Sequence, residues 1–454
     1  MLRWGFVATL LAVPMGASAQ EVQYKPTAAY TRSMAAGYKA LELCGAIFNA
    51  GRSQAQAEAL EMSGIYPELD SVAHGLTAEV TRPVPGLGVV TVPFDPNLPP
   101  RRAVWLGDAG CTIQPLGAPI PARGGKTGFA GTMDKQNWPM GDANASAPTP
   151  APLVAPLHRA FDASSYGKGR TTAVVIVRNG KIVGEDYAEG FDLHTSQRTF
   201  SAAKSMAGTL VGIAVRDKLL TPDQPAGFWK NDLRADITLD NLIRMGSGLH
   251  TDGPGGRLDT VYLGGTTVAQ EGDYWLAEAK PGTRFRYSNL DILLAVRALR
   301  GALNDEARYA AYPKTELFAK LGMTRTVAER DVAGNYILSS QVWSTARDLA
   351  RLGMFWLGDG VWNGQRILPA GWMKYMTTPS GPQPEKGPGY GATMWLFGPE
   401  QGLPAGSYAA QGNRGQVIMV VPSQKLVVVR RGEDAAGTGF DIAKFTADVI
   451  AALH

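Results

Sequence analysis

Two serines in this chain stand three residues before a lysine, Ser165 before Lys168 and Ser201 before Lys204. A serine so placed is a candidate nucleophile with a base at hand, and context separates the two copies. Ser165-Tyr166-Gly167-Lys168 lies in a Gly-rich stretch ahead of a predicted strand and reads as a loop. Ser201-Ala202-Ala203-Lys204 opens a long apolar helix. Residues three apart share a helix face, so Lys204 can reach the Ser201 hydroxyl. The helix N-terminus adds free N–H groups and a positive dipole end beside a developing anion. A lysine acts as a base only when partly neutral, and the apolar sequence around Lys204 favours that form.

Two further segments carry chemistry. Tyr287-Ser288-Asn289 supplies a phenol that can shuttle a proton between the serine and a leaving group, and an amide that can bond Lys204 or the substrate. Gly412-Asn413-Arg414-Gly415-Gln416 precedes a strand, and its glycines permit close backbone approach to a ligand. An N–H from this segment, with that of Ser201, can form an oxyanion hole. Other serines read as structural. Ser247, in Met245-Gly246-Ser247-Gly248, belongs to a Gly-rich turn, and Arg347-Asp348 is a helix cap or ion pair.

Some chemistries are disfavoured. G-x-S-x-G is absent, which argues against an α/β-hydrolase nucleophile elbow. The five histidines lack metal-ligand spacing such as H-E-x-x-H, and two cysteines cannot complete a four-cysteine zinc site. No metal or organic cofactor is expected. Lys and Arg total 44 against 40 Asp and Glu, too even for a nucleic-acid footprint.

The elements that must hold these residues follow from hydrophobic pattern. Thr172–Arg178 and Lys181–Tyr187 flank Asn179-Gly180, a strong hairpin signal. Gln416–Val421 and Lys425–Arg431 flank Pro422-Ser423-Gln424 as a second hairpin, and Asp441–Leu453 reads as a terminal helix. Helix-like segments, including Ala202–Arg216 and Thr345–Leu357, fill the interval between the hairpins. This order fits an α+β fold, an antiparallel sheet flanked by helices with an inserted helical subdomain at about 205–385. That unit spans 156–454. Before it, 20–155 forms an extra N-terminal region without a catalytic pattern, with helices at Met34–Phe48 and Gln54–Met62 and strands at Val89–Phe94 and Ala103–Leu106. It ends in an Ala/Pro-rich linker, 143–156.

At the N-terminus, Arg3, the apolar Phe6–Val13 and the small residues Ala17-Ser18-Ala19 read as a signal peptide over 1–19. Its apolar run is too short to span a bilayer. Export, most simply to a bacterial periplasm, with no membrane anchor after its removal, is the expectation. An oxidising compartment permits a Cys44–Cys111 disulfide, two separate buried thiols being the alternative.

Ser201-x-x-Lys204, Tyr287-Ser288-Asn289 and the Gly412–Gln416 segment, in this order, resemble the serine β-lactamase and penicillin-binding protein superfamily. The Tyr-x-Asn form points to its class C branch. Thr172–Tyr187, Phe200–Val215, Phe285–Leu293 and Ser344–Gly360 are similar to 6-aminohexanoate-dimer hydrolase-like serine hydrolases. The resemblance covers about residues 155–454. It implies that Ser201 is acylated and Lys204 is its general base. Tyr287 would protonate the leaving group, the N–H groups of Ser201 and Asn413 would hold the oxyanion, and Asn289 would support Lys204. β-Lactamases carry Lys-Thr-Gly or His-Thr-Gly at the third motif, where the cation helps bind the substrate carboxylate. Here Gly412, Asn413, Arg414 and Gly415 stand instead, with Arg414 as the candidate cation. Hydrolysis of a small-molecule amide or ester is therefore favoured. A D,D-peptidase or weak β-lactamase, or a non-catalytic binding protein on the same fold, are the alternatives.

Overall fold

The computed structural model describes residues 27–146, 148–250 and 257–454. The expected signal peptide lies outside the described residues.

The N-terminal region folds as a helical layer on a sheet. Helix α1 (Ala28–Cys44) starts where the Thr27 side chain accepts from the Tyr30 N–H at 3.2 Å. From Ser33 onward it is buried, as a helix enclosed between two layers must be. Gly37 and Gly45 explain how it is enclosed. A Cβ on Gly37 would lie 2.0 Å from the Leu263 carbonyl oxygen, and one on Gly45 would lie 2.1 Å from the Trp343 ring. Both contacts reach into the catalytic unit. Helices α2 (Gln54–Glu61) and α3 (Pro67–His74) follow. Strands β1 (Glu79–Val84), β2 (Leu87–Val92), β3 (Arg101–Trp105) and β4 (Cys111–Ile113) pair antiparallel in sequence order. Cys44 and Cys111 form a disulfide, joining the end of α1 to β4.

The expected linker is only partly extended. Its second half begins helix α4 (Ala151–Arg159), whose Leu153 and Leu157 are buried in the catalytic unit. Pro152 sits in the first turn, where proline costs a helix no hydrogen bond, while Pro156 lies inside the helix and gives up one bond there.

Strands β5 (Thr171–Arg178) and β6 (Lys181–Tyr187) form the first expected hairpin, with positive φ at both Asn179 (51°) and Gly180 (79°). After β7 (Gln197–Arg198) comes α5 (Ala203–Arg216), then α6 (Leu239–Ile243), α7 (Asp259–Tyr262), α8 (Val268–Tyr274), α9 (Asn289–Leu303), α10 (Glu306–Tyr312) and α11 (Ala319–Leu321). Strands β8 (Val327–Ala328) and β9 (Val342–Ser344) pair with β7 in the order β7-β9-β8. Next are α12 (Ala346–Leu357), the short pair β10 (Val361–Trp362) and β11 (Gln365–Arg366), and α13 (Trp372–Met376). Strands β12 (Gly389–Tyr390), β13 (Trp395–Phe397), β14 (Ser407–Gly412), β15 (Gln416–Val421) and β16 (Leu426–Gly432) precede α14 (Ile442–Ala452).

Among the described residues, one antiparallel sheet runs β12-β13-β14-β15-β16-β5-β6. Strand β16 pairs with β5, so the two ends of the unit meet inside the sheet. On one face lie α4 and α14, through Leu157, Phe445 and Val449. The other face carries α12, where a Cβ on Gly353 would lie 2.5 Å from Val427. With both faces covered, β5, β15 and β16 are nearly continuous apolar runs. Helix α12 falls inside the 205–385 range expected for the helical subdomain yet packs on the sheet. The inserted helical layer is therefore α6–α11. Among the described residues no helix is long and apolar enough to cross a membrane.

Candidate active site

Ser201 sits in a single 3-10 turn, Phe200–Ala202, that runs directly into α5. The backbone enters this turn through Phe200 at φ 46°, a left-handed conformation that costs a bulky residue on the order of 1 kcal/mol. The Arg198 guanidinium lies 4.5 Å from the Phe200 ring centroid, and Phe200 is buried. Packing thus holds the strained residue that aims Ser201.

Lys204, one helical turn on, is 1% exposed. Its Nζ donates to Ser201 Oγ at 2.9 Å, to Asn289 Oδ1 at 2.5 Å and to the Ser339 carbonyl at 2.8 Å. Burial, then the nearby Arg198 cation, pushes its pKa down to about 7. The geometry therefore gives a lysine that is half neutral near neutrality with its nitrogen already on the serine.

The Tyr287 side chain lies beside Ser201, and its ring centroid is 4.9 Å from Lys204 Nζ. Tyr390 edge-on at 6.0 Å and Trp395 at 5.4 Å hold the ring. Burial raises the phenol to about 12, partly offset by the neighbouring Ser201, so it stays protonated at working pH. Ser288 caps α9 by accepting from the Asp291 N–H at 3.3 Å. This places Asn289 at the first turn, where Oδ1 faces Lys204 and Nδ2 donates to the Arg257 carbonyl at 3.2 Å. Of the two roles open to Asn289, the bond to Lys204 is the one present.

The third motif divides. Gly412 ends β14 against the Ser201 turn, where a Cβ would lie 2.2 Å from the Thr199 carbonyl oxygen and 3.1 Å from the Ser201 nitrogen. Only glycine allows that approach, which brings the following Asn413 to the site. Arg414 departs from expectation. Its guanidinium is buried, paired with Glu433 at 2.8 Å, and donates to the carbonyls of Leu60, Ser63 and Gly64. It is a tie to the N-terminal region, not a substrate cation, because a buried guanidinium goes to the partners that satisfy it. Gly415 also turns away, packed on the Arg430–Asp434 pair. The segment closes the β14–β15 turn, and its last residue, Gln416, starts β15.

Arg198, Ser339 and Tyr262, whose hydroxyl bonds Ser339 Oγ, were not singled out from sequence. None belongs to a short motif; adjacency to Ser201 was the one signal, for Arg198. Ser165 lies in a turn and bonds Asp162, and Ser247 is buried on Asp291 at 2.8 Å. Asp134, Asp142 and His194 bring ligand-type atoms within 4.8 Å of one another, but Arg325 and Arg351 hold the two carboxylates.

Residues 158–447 match the Beta-lactamase family. The 6-aminohexanoate-dimer hydrolase of Paenarthrobacter ureafaciens is 25% identical over 290 residues, 57% of this chain and 72% of that protein. A Bacillus anthracis structure provisionally assigned as a 6-aminohexanoate-dimer hydrolase superposes with a TM-score of 0.55 at 20% identity, covering 65% of this chain and 81% of that one. A class C beta-lactamase gives 0.51 at 14% identity, covering 67% and 96%. With a family match over more than half its length, around a Ser-Lys-Tyr cluster whose lysine is buried, the chain belongs to the Beta-lactamase family as a beta-lactamase-like serine hydrolase.

Proposed function

We propose that this is an exported serine hydrolase that cleaves a small linear amide or carboxylic ester through an acyl-enzyme on Ser201. The observation that carries the reading is a buried lysine bonded to the serine beside a tyrosine: Lys204 Nζ donates to Ser201 Oγ at 2.9 Å and lies 4.9 Å from the Tyr287 ring centroid. Neutral Lys204 takes the Ser201 proton as Oγ attacks the carbonyl carbon. The N–H groups of Ser201 and Asn413 donate to the oxyanion. Tyr287 gives its proton to the leaving oxygen or nitrogen as the tetrahedral intermediate collapses and takes up the one Lys204 carries, which returns both groups to their resting forms. Water then repeats the sequence on the acyl-enzyme. No step calls for a metal or organic cofactor.

A neutral substrate is favoured because Arg414, the cation of the third motif, is committed to Glu433. The similarity to a 6-aminohexanoate-dimer hydrolase supports the linear amide class. Initial rates on short p-nitrophenyl esters, linear anilides and a chromogenic cephalosporin test this. The expected result is kcat/KM for the best ester or anilide about 100-fold above the cephalosporin. Equal or faster cephalosporin turnover would overturn the substrate class.

A further inference from the structure

The family match begins at residue 158, yet the region before it reaches the catalytic cluster. Tyr66, just ahead of α3, lies beside the Asn413 side chain and lines one cavity with Asn289. The Arg257 guanidinium lies 4.0 Å from its ring centroid. Arg257 in turn gives its carbonyl to Asn289, the partner of Lys204. One half-buried tyrosine thus touches the third motif on one side and the neighbour of the second motif on the other. Behind it, a cavity of about 30 Å³ is bounded by Tyr38, Tyr66, Arg257, Tyr262 and Asn289. That is room for about one water and nothing larger. The charge on this wall is also spent: Arg257 pairs with Asp259 at 2.7 Å and with Glu68 at 2.5 Å.

We propose that the N-terminal region is a third wall of the active site, and that Tyr66 is its specificity-determining residue, limiting the enzyme to compact, uncharged acyl groups. The ring occupies the space beside Asn413 and Asn289 into which a larger group bound at Ser201 would extend. Neutralised Arg257 holds the ring without offering a cation to an anionic substrate. This inference rests on Ser201 being the nucleophile.

The test uses the full chain and two fluorophosphonates, one with a short ethyl chain and one bearing a biphenyl group, with the labelled residue mapped by mass. Tyr66→Ala should raise the ratio of biphenyl to ethyl labelling rates about tenfold, the scale of a steric change in an apolar pocket. Tyr66→Phe keeps the ring and should hold that ratio at the wild-type value. An unchanged ratio in Tyr66→Ala, or an equal rise in Tyr66→Phe, overturns the wall. Should Tyr66→Ala fail to fold, Tyr66→Trp reads the same question in the other direction: a fall in the ratio supports the wall and an unchanged ratio overturns it. A wild-type protein with no adduct on Ser201 from either probe would sink the hydrolase reading itself, so the two failures are distinct.

Discussion

Lys204 carries the pH behaviour of the account. Its ammonium is disfavoured by burial and by Arg198, with a pKa down at about 7. Only the neutral amine can take the Ser201 proton. As pH rises through about 7 the acylation rate should therefore rise, flatten above, and fall about tenfold per unit below. Stopped-flow acylation across pH 5–9 checks this; a flat profile would contradict it. Lys204→Ala should lose roughly a thousandfold in acylation rate while circular dichroism reports a retained fold. Tyr287, raised to about 12, stays protonated over the same range. Tyr287→Phe should lower kcat for esters roughly a hundredfold, without moving the half-rise set by Lys204. At this scale Ser201, Lys204, Tyr287 and Asn289 were legible because short spacings on helix starts carry them. Arg414 was misjudged because sequence reports a charge and not its partner, here Glu433. Tyr66 and Ser339 arrive through space, and no spacing announces them.

The element that matters most is the turn before α5, with β14 laid against it. Phe200 at φ 46° and the bare Gly412 edge fix where the Ser201 N–H points. Gly412→Ala would drive a methyl into the Thr199 carbonyl, 2.2 Å away, and must displace one strand or the other. A stability loss of roughly 1–3 kcal/mol is expected, with kcat/KM down about a hundredfold from misplacing the oxyanion donors. Urea melts and ester kinetics on the same preparation separate the two effects. Both hairpins were readable from their turn residues, Asn179-Gly180 above all. The assignment of α12 to the helical subdomain was not, because amphipathic periodicity tells which face is buried and not which layer covers it. The glycine at 353 was the missed clue: it lets α12 approach Val427.

At the scale of the molecule, the N-terminal region is built into the catalytic unit. Helix α1 carries Glu42, which pairs with the buried Arg198, and ends at the Cys44–Cys111 bridge two residues later. The cysteines are 67 residues apart, and closing such a loop stabilises by about 4 kcal/mol. The Cys44→Ser/Cys111→Ser double variant should melt about 4–5 °C lower. Calorimetry of the variant, and of wild type with and without reductant, checks this; an unchanged melting temperature would mean the bridge constrains little. The sequence pattern revealed α1, α2, β2 and β3 of this region but neither α3, β1 and β4 nor its position, since docking rests on scattered contacts such as Gly37 with Leu263 and Gly45 with Trp343. The same separation hid Tyr66 from the reading of the site.

The central claim is that Ser201 becomes covalently acylated. Mass mapping after reaction with a small fluorophosphonate tests it most directly. The account predicts one stoichiometric adduct on the Ser201 peptide, lost in Ser201→Ala together with ester hydrolysis. An adduct on another residue, or ester hydrolysis undiminished in Ser201→Ala, would contradict it.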